Sequence, residues 1–95
     1  MRECIIHGDL ISGWDPLYDQ LSRNLNLPEW FGRNLDALYD CLTDLQDAQI
    51  TIYHWSRLSD CLGTKANALR QVLTDAGLEN PTLTVSILDE EPDEI

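Results

Sequence analysis

The chain has 95 residues, 43% of them hydrophobic, and it carries seventeen acidic against six basic side chains, for a formal net charge of −11. This length predicts one domain that folds without staples, and the hydrophobic share excludes a wholly disordered protein. The acidic excess disfavours nucleic-acid and membrane partners and favours a cationic protein. No apolar run is long enough for a membrane span or a secretory signal, so the expected compartment is the cytoplasm.

Three cysteines support that compartment. Cys4, Cys41 and Cys61 are widely spaced and form no Cys-x-x-Cys pair. This pattern is typical of reduced cysteines that fill small apolar spaces. Neither His7 nor His54 completes a zinc-ligand spacing, so we expect no metal and no cofactor.

The N-terminal part of the chain predicts a strand and a helix. The apolar run from Cys4 to Ile6 indicates a short buried strand over residues 2–7. Asp15 is placed to cap a helix whose first position is Pro16, where the missing N–H costs nothing. Leucines at helical spacing continue this helix to residue 25, and a compact loop follows.

The remainder predicts further helices and strands. A second helix is expected over about 34–43, a strand over 49–53 and a short helical turn over 55–62. Thr64 is predicted to cap the next helix, and Gly77 is predicted to stop it.

A last strand over 83–87 completes an α/β pattern. Strands separated by helices predict a small three-stranded parallel sheet packed with three to four helices. In the last two strands every second position is polar, which indicates that one face of the sheet is covered better than the other. Residues 1–88 should form the single domain, and residues 89–95 an acidic tail that frays into solvent.

The second helix carries the strongest functional signal. Asp36, Asp40 and Asp44 lie at i, i+4 and i+8 and therefore share one face, and no Lys or Arg occurs from Asn34 to Ser56. Like charges at this spacing cost about 0.2–0.5 kcal/mol per pair. Two interpretations stay open at this point. The face is either a plain solvated surface, or it receives its missing cations from another molecule.

Other uses of carboxylates are less well supported. A helical di-metal site would recruit His or Glu from a second helix, and carboxylate catalysis would need one acid in a buried setting. No nucleophile elbow, P-loop or dinucleotide fingerprint occurs. The sequence therefore predicts that the protein is not an enzyme. Trp30 and Phe31, just before the helix, are either loop-packing residues or interface anchors.

Residues 27–43 read Leu-Pro-Glu-Trp-Phe-Gly-Arg-Asn-Leu-Asp-Ala-Leu-Tyr-Asp-Cys-Leu-Thr. They resemble the central segment of the barstar family, a Pro-Glu-aromatic-aromatic-Gly loop followed by an Asn-Leu-Asp-Ala-Leu-aromatic-Asp-Cys-Leu-Thr helix. The resemblance extends more loosely to Leu88. It implies a barstar-like fold and an intracellular inhibitor, monomeric when free, that plugs the active site of a cationic barnase-type ribonuclease one-to-one. Such a protein would serve as the antitoxin, or immunity protein, of the cell that makes the ribonuclease.

The resemblance also implies a site. Asp40 would stand in for a substrate phosphate in the enzyme's anion site, and Asp36 would pair with a neighbouring cation. Trp30 lies where the family has an aromatic that packs on the enzyme's catalytic His. The predicted partner-binding residues are Trp30, Phe31, Asn34, Asp36, Asp40, Thr43, Asp44, Asp75 and Glu79.

This chain departs from the family pattern at four places. Trp30 replaces the usual Tyr, Asp44-Leu45 replaces a Gly-Trp pair, Asp75 replaces Glu, and Arg33 stands where an acidic residue is expected. These departures predict a cognate toxin other than barnase itself. The alternative function is a non-inhibitory interaction module that presents the same acidic face to another basic protein. Whether Tyr39 packs inward or joins the interface stays open.

Overall fold

A computed structural model describes residues 2–28 and 31–89. Within them lie three strands, four α-helices and two short 3-10 turns: β1 (Arg2–His7), a turn (Gly8–Leu10), α1 (Trp14–Leu25), α2 (Leu35–Asp44), β2 (Ala48–Tyr53), α3 (Trp55–Leu62), a turn (Gly63–Lys65), α4 (Ala66–Glu79) and β3 (Leu83–Ile87). β2 lies between β1 and β3 and is parallel to both. The predicted α/β fold with a small three-stranded parallel sheet is confirmed.

The two faces of the sheet are covered unequally. In β1, Ile6 is fully buried, whereas its neighbour Ile5 remains 40% exposed. Because parallel partners point to the same side, the register places Cys4 beside Ile50 on the buried face. The Nδ2 of Asn24 in α1 donates to the Cys4 Sγ at 3.7 Å, so α1 packs on this face. The core therefore lies between the helices and one side of the sheet.

Gly8 follows β1 at a point where two segments approach closely. A Cβ atom there would lie 2.5 Å from the His54 carbonyl oxygen, 2.7 Å from that of Tyr53 and 2.9 Å from the Leu58 Cβ. No side chain fits this space without moving backbone, so the close approach of β1 to the start of α3 requires a glycine.

The start of α1 differs from the prediction. The helix begins at Trp14, and the Gly13 carbonyl accepts its first bond from the Leu17 N–H at 3.3 Å. Asp15 is thus inside the helix, and the prediction of Asp15 as its cap is wrong. Pro16 occupies the third helical position, where the N–H would have had no partner within the helix.

Two further local predictions are wrong in α4. Thr64 lies in a 3-10 turn and caps nothing, because the Gly63 carbonyl already accepts from the Ala66 N–H and the chain enters α4 in a helical conformation. Gly77 does not stop the helix, which continues to Glu79. The segment over 55–62, predicted as a short turn, is a full helix.

The cysteines divide by exposure. Cys4 and Cys41 are buried, as expected for small apolar fillers, and burial raises the pKa of the Cys4 thiol. Cys61 differs, because it is exposed on α3. In the part of the chain that the structure describes, all three thiols are free.

Candidate functional site

Asn34 sets where α2 begins. Its Oδ1 accepts from the Ala37 N–H at 2.8 Å, and its Nδ2 donates to the Gly32 carbonyl at 3.2 Å. Asn is among the preferred residues for this cap, since its side chain satisfies an otherwise unpaired N–H of the first turn. The predicted partner residue Asn34 therefore already has a positioning role in the free protein.

The buried side of α2 fixes the direction of its carboxylates. Leu38 and Leu42 are fully buried, and Cys41 is 3% exposed. Because these residues occupy one side of the helix, residues at i, i+4 and i+8 on the other side reach solvent. We call these exposed residues the acidic stripe: Asp36, Asp40 and Asp44.

No ion pair to the acidic stripe forms among the described residues. Among the described residues, ion pairs join Arg33 to Asp15 at 3.5 Å and to Asp19 at 3.0 Å, and the His54 Nε2 lies 3.9 Å from the Asp9 carboxylate. None of them involves α2. The three carboxylates therefore face solvent with their mutual repulsion uncompensated.

Arg33 precedes α2 in the sequence, close to the acidic stripe. In the structure, however, its guanidinium pairs with carboxylates of α1. Its guanidinium contacts two carboxylates of α1 and lies 5.8 Å from the centre of the Tyr18 ring. The hydrogen bond to Asp19 raises the pKa of Arg33. Its charge is balanced locally, so it does not cancel the potential of the acidic stripe.

The negative potential of the stripe also reaches the core side of α2. Burial, together with the nearby charges of Asp40 and Asp44, raises the pKa of the Cys41 thiol. A thiol in this setting stays protonated and is a weak nucleophile. Cys41 consequently acts as a small apolar residue beneath the stripe.

Two further predicted partner residues, Asp75 and Glu79, are exposed on α4. α4 packs against α2, and the Lys65 end of α4 shares a cleft of about 570 Å³ with the Asp36 end of α2. The helices therefore run in the same direction, which brings Asp75 and Glu79 to the end of α2 that carries Asp44. The Gln71 Nε2 donates to Asp75 at 2.8 Å, so this carboxylate has a neutral rather than a cationic neighbour.

Asn80, which the sequence-based prediction did not include, connects the C-terminal ends of α2 and α4. It is only 7% exposed, and its Nδ2 donates to the Leu42 carbonyl at 2.9 Å and to the Leu45 carbonyl at 2.7 Å. Its Oδ1 accepts from the Thr82 N–H at 3.0 Å. An Asn-Pro pair after a helix indicates a turn, but it does not reveal contacts with residues 35 and 38 positions away.

The other predicted residues have varied positions. Phe31 is 8% exposed and packs edge-on against Tyr18, with ring centres 5.7 Å apart, so it supports the loop from inside. Thr43 is half-buried, and its Oγ1 donates to the Asp40 carbonyl at 3.0 Å. Tyr39 is partly buried against the core. Trp30 lies outside the described residues.

Residues 2–28 and 31–89 contain no group of three or more His, Cys, Asp or Glu placed to hold a metal ion. The same residues contain no helix with the length and apolar character needed to cross a bilayer.

Comparison with known proteins identifies the family. A family model described as "Barstar (barnase inhibitor)" matches residues 1–89. The Bacillus subtilis (strain 168) protein named "Putative ribonuclease inhibitor YrdF" is 36% identical over 78 residues, which cover 80% of this chain and 86% of that protein. Both descriptions are those of inhibitors rather than of enzymes. Together with the three-stranded parallel sheet and the capped acidic helix, these matches show that the chain belongs to the barstar family.

Proposed function

We propose that this protein is a cytoplasmic immunity protein that binds a cationic, barnase-type ribonuclease one-to-one and occludes its active site with the acidic stripe. The observation that carries the proposal is that Asp36, Asp40 and Asp44 are all exposed and lack a cationic partner among the described residues. Membership of a family described as barnase inhibitors supports the class of partner.

The charges of the acidic stripe lower the stability of the free protein and favour the binding of a cationic partner. Each like-charged pair at i, i+4 costs about 0.2–0.5 kcal/mol, and carboxylates near the C-terminal end of a helix also oppose its dipole. A cationic active site would relieve both penalties. The net charge of −11 would also steer such a partner toward the protein and speed its arrival.

Asp40 is the proposed centre of the contact. It lies one helical turn from Asp36 and one from Asp44, so its carboxylate is flanked on both sides along the stripe. The buried leucines of α2 and the Asn34 cap hold the helix that presents it. In the complex, its carboxylate would occupy the position of a substrate phosphate, and inhibition would need no catalytic group because occlusion is sufficient.

The decisive experiment is RNA cleavage by a barnase-type ribonuclease with an equimolar amount of this protein, followed by calorimetric titration of Asp40→Asn. The matched control is Asp60→Asn, because Asp60 is exposed on α3 and its replacement removes the same charge. Losing one member of a buried interfacial charge pair costs about 2–5 kcal/mol, so Asp40→Asn should bind at least ~30-fold more weakly. Asp60→Asn should bind within about threefold of the parent, since a charge outside the contact affects mainly long-range steering.

The same variant should not be less stable than the parent. Removing Asp40 relieves two repulsive pairs, so thermal unfolding of Asp40→Asn should occur at an equal or slightly higher temperature. Unchanged affinity of Asp40→Asn would refute the proposed site. Tight binding without suppression of cleavage would refute inhibition and favour the non-inhibitory interaction module.

A further inference from the structure

β3 has one paired side and one unpaired side in the described part of the chain. The Thr82 carbonyl accepts from the Ala48 N–H at 3.1 Å, and the Leu88 N–H donates to the Ile52 carbonyl at 2.8 Å, so even-numbered residues face β2. Because successive residues of a strand alternate in direction, the N–H and C=O groups of Val85 and Ile87 point outward. This edge therefore offers backbone hydrogen bonds to a further strand.

The two edges of the sheet differ in protection. β1 carries Arg2, Glu3 and His7, whereas Leu83–Ile87 contains neither a charged residue nor a proline. Charged side chains and prolines are common devices that prevent edge strands from pairing with another chain. β3 is thus the unprotected edge.

A groove of about 460 Å³ runs between β3 and α4. Val85 and Ile87 line it from the strand, and Arg70, Gly77 and Leu78 line it from the helix. None of its lining residues is acidic, although the chain carries seventeen carboxylate side chains. Leu78 is 81% exposed at its rim. Among the described residues, an uncharged edge and a carboxylate-free groove form one part of the surface that a second acidic molecule could approach.

Arg70 and Gly77 lie at opposite ends of the groove, so the two ends differ in charge. Arg70 lies 5.6 Å from the centre of the Trp55 ring, and its charge contributes to lowering the pKa of Asp89, which follows β3. A Cβ on Gly77 would contact Val85 at 3.5 Å and the Leu83 carbonyl at 4.0 Å. The cation therefore lies at the C-terminal end of β3, and the C-terminal end of α4 lies at the start of β3.

We propose that β3 pairs antiparallel with β3 of a second copy of this chain about a two-fold axis at Val85, which joins the two sheets into one of six strands. In this arrangement each Arg70 lies beside the C-terminal end of the other copy's α4, the negative end of that helix dipole. Each Arg70 thereby gains an attractive interaction with the other copy, which offsets part of the repulsion between the two acidic chains. This proposal differs from the sequence-based expectation of a monomer.

The dimer leaves the acidic stripe accessible. Arg70, Thr74 and Leu78 recur at four-residue spacing on one flank of α4, whereas Asp75 and Glu79 lie on the other flank, toward α2. Each copy can consequently bind its own cationic partner, and the one-to-one ratio is preserved. The inference does not depend on the proposed function.

The test is sedimentation equilibrium of the full chain over a roughly hundredfold range of concentration, since association follows mass action. Pairing about Val85 places Thr84 opposite Ser86 of the other copy, on the face away from the helices. Thr84→Lys/Ser86→Lys sets like charges opposite one another twice and should weaken association about tenfold. Thr84→Lys/Ser86→Glu sets opposite charges there and should associate within about threefold of the parent.

Circular dichroism spectra check that both double variants are folded. A ribonuclease inhibition assay checks separately that the acidic stripe still functions. Two outcomes would overturn the inference. One is a parent protein that remains monomeric at every concentration. The other is equal association of the two double variants, which would mean that the contact lies elsewhere.

Discussion

Asn80 offers the most informative perturbation of the fold, because its side chain joins the end of α2 to the turn that leads into β3. Asn80→Ala removes two buried bonds to the carbonyls of Leu42 and Leu45 and the acceptor of the Thr82 N–H. A buried hydrogen bond contributes about 0.5–1.5 kcal/mol net, and a polar group left unpaired costs more. Both carbonyls keep one weaker donor, at 3.4 Å from the Leu45 N–H and at 3.2 Å from the Thr82 Oγ1. The expected loss of unfolding free energy is therefore about 2–3 kcal/mol.

Urea denaturation followed by circular dichroism measures this loss. With an m-value of about 1–2 kcal/mol per molar, the midpoint should fall by roughly 2 M. Asn67→Ala is the matched control, because Asn67 is exposed on the same helix and surface substitutions typically stay within about 0.5 kcal/mol.

Asn80→Asp separates hydrogen bonding from side-chain size. The introduced carboxylate would face two carbonyl oxygens in a buried site, which raises the pKa of that carboxyl and penalises its charged form. At neutral pH this variant should be less stable than Asn80→Ala, and the penalty should vanish as the pH falls below the unfolded pKa of about 3.9. The reasoning is refuted if Asn80→Ala unfolds within about 0.5 kcal/mol of the parent, or if Asn80→Asp shows no such pH dependence.

Two further predictions test local packing and capping. Gly8→Ala should lose about 1–3 kcal/mol in urea denaturation because its Cβ meets backbone oxygens, whereas Gly77→Ala should gain about 0.5–1 kcal/mol, since its Cβ has room and alanine favours a helix. Equal effects of the two changes would contradict this account. The Asp89 carboxylate accepts from the Ser56 N–H and hydroxyl, both at 2.8 Å, and these bonds lower its pKa. Its contribution is present above the unfolded pKa and is lost as the pH falls through the lowered folded pKa. Asp89→Asn should thus lower the melting temperature at pH 7 by more than at about pH 3; a difference that does not change with pH would exclude this capping role.

Asp89 is the first residue of the predicted acidic tail, and its carboxylate accepts two hydrogen bonds from Ser56 at the start of α3. The domain boundary after residue 88 stays a prediction. The remainder of that tail, residues 90–95, lies outside the described residues.

The features that periodicity and charge encode were predictable from the sequence. A short apolar run predicted β1, alternation of apolar residues predicted β3, and the spacing of Asp36, Asp40 and Asp44 predicted a shared exposed face. Both follow from the repeat of one element, which is a local property of the chain. The absence of basic residues along α2 is equally local, and the structure supplies no cation to the stripe from elsewhere in the described residues.

Tertiary structure decided the features that depend on distant partners. Asp15 is a good helix cap by type, yet its carboxylate contacts Arg33, eighteen residues away. Gly77 is a good helix stop, yet α4 continues to Glu79, and the side chain of the next residue, Asn80, bonds the end of α2. In each case the helix end is not set by the local preference of one residue, which is worth at most about 1–2 kcal/mol. Such contacts produce no periodic pattern in the sequence, because the two partners can be separated by any number of residues.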